Sequence, residues 1–115
     1  MMNEELKTIF GDAIAVGKKK IPIAHLKYKG KETTYVVWTI IRNAPALSGD
    51  DEPIYGITTV DVDIYSKGNY LSVLNEVKKL MKLNGWIWTE DSVEMYEDDT
   101  GLYHITATFE KERIL

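Results

Sequence analysis

A chain of 115 residues, 44% hydrophobic and 28% charged, has the length and composition of one folded domain and is too rich in apolar residues to stay disordered. Its net charge of −4 argues against specific nucleic-acid binding, and the absence of cysteine, with His25 and His104 as the only imidazoles, excludes a disulfide framework and a zinc-thiolate centre. No apolar run approaches the ~20 residues that cross a bilayer, and the chain opens on Glu4 and Glu5 rather than on a basic and then apolar leader, so a cytoplasmic protein without a membrane partner is expected.

Asn3 as a cap, acids in the first turn, and Leu6, Ile9, Phe10, Ala13 and Ile14 at helical spacing predict an amphipathic helix ending near Gly17. After Lys18-Lys19-Lys20, Pro22 denies helix, and strands over Ile23–Tyr28 and Thr34–Arg42 are expected to pair as a hairpin. The second of these is apolar on both faces and belongs in the middle of a sheet or under a partner. Residues 43–53, with Ala-Pro, Ser-Gly and Asp50-Asp51-Glu52, read as a long loop. From Tyr55 the chain alternates, with Thr58, Val60, Val62 and Ile64 on a packed face and Thr59, Asp61, Asp63 and Tyr65 on a wet, acidic one. Asn69 opens a second helix with Leu71, Val73, Leu74, Val77, Leu80 and Met81 inward, and Asn84-Gly85 stops it. Trp86-Ile87-Trp88 reads as extended, a short strand is expected before Asp99, and a closing strand carries Tyr103, Ile105, Ala107 and Phe109 on one face and His104, Thr106, Thr108 and Glu110 on the other. The order implies one α+β domain over residues 1–115, a mostly antiparallel β-sheet with two main helices packed on one face.

Catalytic chemistry finds little footing. His104 needs a partner acid or nucleophile within reach, and its neighbour Tyr103 points to the other face of a strand. No serine stands in a nucleophile-elbow context, and no glycine-rich phosphate loop is present. The acids Asp50, Asp51, Glu52, Glu97, Asp98 and Asp99 lack calcium-loop spacing and read as solvated turns. Trp38, Trp86 and Trp88 read as core or interface residues. No catalytic residue, metal or cofactor is therefore expected, and the chain is not expected to be an enzyme.

Charge is unevenly distributed. Residues 1–42 carry eight lysines and arginines against four acids, and residues 43–115 carry six against fourteen. Opposite patches of this kind suit a subunit that meets copies of itself head to tail. The candidate partner-binding residues are Lys18, Lys19 and Lys20 on the basic side, and Asp50, Asp51, Glu52, Asp61 and Asp63 on the acidic side.

Several stretches carry a family resemblance: "DDEPIYG", "VDVDIYSKGNY" leading into "LSVLNEVKKLMKLNGW", and "YEDDTGLYHITATFE", with "IPIAHLKYKG" near the start. Together they resemble the tail completion or tail terminator proteins of long-tailed bacteriophages and prophages, over nearly the whole chain; "VDIYSKGNY" and "DTGLYH" at this separation are the most telling. The resemblance implies an α+β subunit that assembles as a homo-hexameric ring on the head-proximal end of the tail tube, ends tube growth and helps join the head. It implies the tail tube protein and a head connector or stopper protein as partners, and a location in the host cytoplasm during assembly and then in the virion tail. A head-closure or connector subunit and a small ligand-binding α+β domain are the alternatives.

Overall fold

The computed structural model describes the backbone of residues 2–49 and 52–114, and the side chains of residues 3–45 and 55–113. Among the described residues there are two helices and seven strands in the order α1 (Met2–Phe10), β1 (Ala13–Val16), β2 (Lys19–His25), β3 (Tyr35–Gly49), β4 (Glu52–Ser66), α2 (Leu71–Leu83), β5 (Ile87–Asp91), β6 (Met95–Glu97) and β7 (Leu102–Ile114). The sheet runs β1-β2-β3-β4-β7-β5, and β6 pairs with β7 beside β5. All pairs are antiparallel except β2 with β3. This is the α+β class expected from the sequence.

Alternation decides which sheet face is covered. Val36 and Trp38 on β3, Val60, Val62 and Ile64 on β4, and Ile105, Ala107 and Phe109 on β7 point one way and are buried. Leu6 and Phe10 of α1 and Val73, Leu74, Val77 and Met81 of α2 pack on them. Each such side chain contributes about 1.5–3 kcal/mol by leaving water, which is why both helices dock on this face. Lys111 on β7 ties the helices to the sheet edge, donating to Glu5 Oε1 (2.7 Å) on α1 and to the Asn84 carbonyl (3.0 Å) after α2. Asn69 and Asn84-Gly85 bound α2 as the sequence implies: the Asn69 carboxamide accepts the Leu71 N–H at 2.9 Å, and Gly85 turns the chain at φ +85.

Three expectations are corrected. The first helix does not reach Gly17. Gly11 adopts φ +63, its N–H closes on the Lys7 carbonyl at 2.8 Å, and Ala13–Val16 instead forms a strand. Ile14 is buried there opposite Ile21, so it satisfies a strand pattern as well as a helical one.

The hairpin partner of β2 is β1, and β2 runs parallel to β3 with Ile23 opposite Val36 and His25 opposite Trp38. The strand stops at His25 because Leu26 turns at φ +68, the Lys27 N–H reaching back to the His25 carbonyl at 2.7 Å. The following segment returns to the start of β3, where Tyr28 stacks on Tyr35.

The long loop over residues 43–53 is also corrected: β3 continues to Gly49 and β4 begins at Glu52, with Gly49 opposite Glu52. Asp50 and Asp51 lie outside the described residues, and of Glu52 only the backbone is described. Pro45 is tolerated because β2 pairs with β3 only as far as Trp38, leaving the other edge of β3 without a ladder at Pro45. Two strands of fifteen residues each span about 50 Å and set the long dimension of the molecule, 52 Å.

Candidate functional site

The sheet register places charge and motif at defined ends. Because Ile23 is level with Val36 in a parallel pair, Lys19 and Lys20 project past the start of β3, at the end where β4 finishes and β7 begins. Lys18, Lys19 and Lys20 are all exposed, Lys18 in the β1–β2 turn and Lys19 and Lys20 at the start of β2. The β3–β4 pair ends at Gly49 and Glu52, at the opposite end of the long axis. Lys18–Lys20 and the Gly49/Glu52 end of the β3–β4 pair are thus held apart by the length of the sheet.

Two clefts meet at the lysine end. One, of about 460 Å³, lies between Lys19 and Lys20 on one side and Thr33, Thr34 and Ser72 on the other. The second, of about 500 Å³, is lined by residues 67–71, Glu94 and Tyr103. Asn69 borders both. Within the second cleft the Tyr70 hydroxyl donates to Glu94, an interaction that raises the Tyr70 pKa, and Tyr96 packs edge-on against Tyr103. The β7 register delivers Tyr103 opposite Ser66, so the end of "VDIYSKGNY" and the "DTGLYH" stretch come to one surface.

The face of the sheet turned away from the helices carries a different arrangement. Tyr35, Tyr65 and His104 are in register across β3, β4 and β7, and with Tyr28 their rings stack in one row at centroid distances of 4.4, 4.7 and 4.1 Å. Burial, with Asp63, Tyr35 and Glu97 nearby, pushes the Tyr65 hydroxyl up to about 12. In the next row Asp63 Oδ1 meets His104 Nε2 at 2.8 Å and accepts from the Thr106 hydroxyl; beyond it Asp61 accepts from Thr108 at 2.7 Å.

No model of a known protein family matches this chain, and no curated protein sequence matches it.

Asp61 and Asp63 are therefore not freely solvated acids. Both are partly buried, and each is tied to threonine across the sheet. The structure does not bring them together with Lys18–Lys20, which lie at the start of β2, two strands away from β4. His25 and His104 are also separated: His25 stacks on Trp38 at 4.0 Å on the helix side, and His104 lies on the other face. Sequence reading missed the acid partner of His104, because Asp63 and His104 are brought together only by the β4–β7 register. The alternation on both strands is the signal that bore on it. Among the described residues no group of three or more His, Asp or Glu is placed to hold a metal ion, and no helix is long and apolar enough to cross a membrane.

Proposed function

We propose that this chain is a tail terminator subunit of the kind found in long-tailed bacteriophages: a structural protein that caps the tail tube at its head-proximal end, stops polymerisation and contributes to the head-joining surface as a hexameric ring. The observation that carries this reading is the convergence of the two most telling stretches of the resemblance. Lys67–Tyr70 of the first stretch and Tyr103 of the second, distant in sequence, line a single cleft together with Leu71 and Glu94. Within it Lys67, Gly68, Leu71 and Glu94 are exposed and outside the core, while Asn69 bounds α2 and Tyr70 packs against the core. A shared docking surface accounts for both stretches at once.

The charge layout supports the same reading. Lysines at one end of a 52 Å molecule and the Gly49/Glu52 end of the β3–β4 pair at the other suit head-to-tail closure, in which Lys18–Lys20 of one subunit meet the acidic sequence Asp50-Asp51-Glu52 of the next. Glu97 and Glu110, with the partly buried Asp61 and Asp63, put four acids on the helix-free face beside Arg42, an excess of negative charge that suits a surface past which duplex DNA moves through a ring. Electron microscopy of the protein mixed with its own tail tubes tests this directly: density only at the tube end is expected, and uniform decoration or no binding overturns it.

The 500 Å³ cleft also favours one competing reading, a small ligand-binding domain. A ligand screen by thermal shift separates the two, because a ligand at ~100 times its Kd stabilises by ~2.7 kcal/mol. A head-closure subunit is distinguished by binding to the head connector in the absence of tubes.

A further inference from the structure

A strand edge without a neighbour offers free N–H and C=O groups to another strand, and proteins blunt such edges with bulges, prolines and charges. Most open edges of this sheet are blunted in that way. Past Trp38, β3 carries Arg42, Pro45 and a register shift at Ile41. The β5 strand has a register shift at Thr89 and ends in Glu90 and Asp91, and β7 runs beyond it as Lys111-Glu112-Arg113. The β6 strand is three residues long and ends in Glu97. Among the described residues β1 is the exception: Ala13-Ile14-Ala15-Val16 contains no charge and no proline, and it pairs with β2 without a register shift.

The Asp12 carbonyl accepts the Ile23 N–H at 3.0 Å and so faces β2. Main-chain groups alternate sides along an antiparallel strand, which turns those of Ile14 and Val16 toward β2 as well and aims the N–H and C=O of Ala13 and Ala15 outward. Both alanines are exposed, and among the described residues β2 is the only strand paired with β1. The two ends of the strand carry opposite charge. Asp12 before it and Lys18 after it are exposed, and neither is in an ion pair among the described residues.

This edge is complementary to itself. Two copies of β1 set antiparallel about Ile14 place Ala13 of each opposite Ala15 of the other, where each pair exchanges two hydrogen bonds. The same arrangement brings Asp12 of each copy beside the Gly17-Lys18 turn of the other, whereas a parallel pair sets Asp12 against Asp12 and Lys18 against Lys18. We infer that β1 of one copy of this chain pairs antiparallel with β1 of a second, joining the two sheets across a two-fold axis. The pairing is independent of the ring-forming reading, since it is a two-fold contact and needs no tail tube. Four residues on each side make a small contact, so the dimer forms at high protein concentration.

The chain has no cysteine, so introduced thiols report the contact cleanly. Ala13→Cys and Ala15→Cys variants, each first shown to melt like the parent, are oxidised with copper phenanthroline at millimolar protein concentration, alone and mixed. In the inferred register Ala13 and Ala15 of the other copy have Cα atoms about 5.5 Å apart, within disulfide reach, while two copies of the same residue are about 9 Å apart and beyond it. The expected result is a disulfide-linked dimer in the mixture and not in either variant alone. Ala15→Cys mixed with Lys82→Cys, an exposed position at the β5 end of α2, measures random collision. Asp12→Lys in both cysteine variants should lower the yield severalfold, and adding Lys18→Asp should restore it. Equal crosslinking in the single variants overturns the antiparallel register. Yields no higher than the collision control overturn self-pairing and leave the edge to a strand of another protein. Indifference to the charge changes also overturns the inference, because the charge at the strand ends is what selects a second copy.

Discussion

His104 on β7 and Asp63 on β4 meet across the sheet, His104 Nε2 lying 2.8 Å from Asp63 Oδ1, and the same carboxylate oxygen accepts from Thr106. One acid therefore satisfies two polar side chains on the neighbouring strand. Asp63→Ala leaves both without that partner on a partly buried face and is expected to destabilise by about 1–3 kcal/mol. Thr106→Val removes only one of the two bonds and is expected to cost about 1 kcal/mol. Because both changes act on one network, the double variant should lose less than the sum of the single losses. Urea unfolding of the three variants checks this, and additive losses would show that the groups act independently.

Tyr65 sits beside that network, between Tyr35 and His104 in the stacked row. Burial first, and then Asp63, Tyr35 and Glu97, raise its pKa from 10.0 to about 12. The folded state thus holds the phenol proton more tightly than the unfolded state. The resulting stability is fully present below pH 10 and is lost as the pH rises from about 10 through about 12. Tyr65→Phe should flatten part of the decline in this window and leave the remainder, since Tyr35 and Tyr70 are shifted in the same direction. Denaturant melts of the two proteins between pH 9 and pH 12 supply the comparison, and parallel curves would refute it.

Leu26 is exposed and holds φ +68 in the tight turn that ends β2. A side chain in this conformation costs roughly 1 kcal/mol that glycine does not pay. Leu26→Gly should therefore be neutral or stabilising by up to ~1 kcal/mol despite the added freedom of the unfolded chain. A fall in melting temperature would mean that the leucine side chain makes a contact that outweighs its backbone strain.

The acidic segment Asp50-Asp51-Glu52 follows the stretch of β3 that runs past the last β4–β7 pair, Tyr55 with Ile114. Reversing the three acids to lysine should change folding stability by about 0.5 kcal/mol or less at each position. On the proposed terminator reading, tube capping should nevertheless fail, and reversal of Lys18, Lys19 and Lys20 to glutamate in the same chain should restore it. Normal capping by the acid-reversed protein would remove this segment from the interface, whereas a large drop in melting temperature would place it in the folded core.

The sequence alone determined the elements whose signals are local. The α2 helix was legible because apolar spacing, Asn69 and Asn84-Gly85 all act within a few residues of one another. The inward faces of β4 and β7 were legible because a strand alternates strictly, which put Val60, Val62 and Ile64, and Ile105, Ala107 and Phe109, on the buried side. The stretches around Lys67–Tyr70 and Asp99–His104 stood out as motifs, but not as neighbours.

Tertiary structure decided the rest. Ala13–Val16 is a strand because β2 offers it a partner, and Ile14 fits a helical period equally well. Pairing β2 parallel to β3, extending β3 and β4 into the loop-like 43–53 region, and setting Asp63 against His104 all depend on the sheet register. Register is fixed by the summed burial of many side chains from distant segments, and no short window of sequence contains that sum.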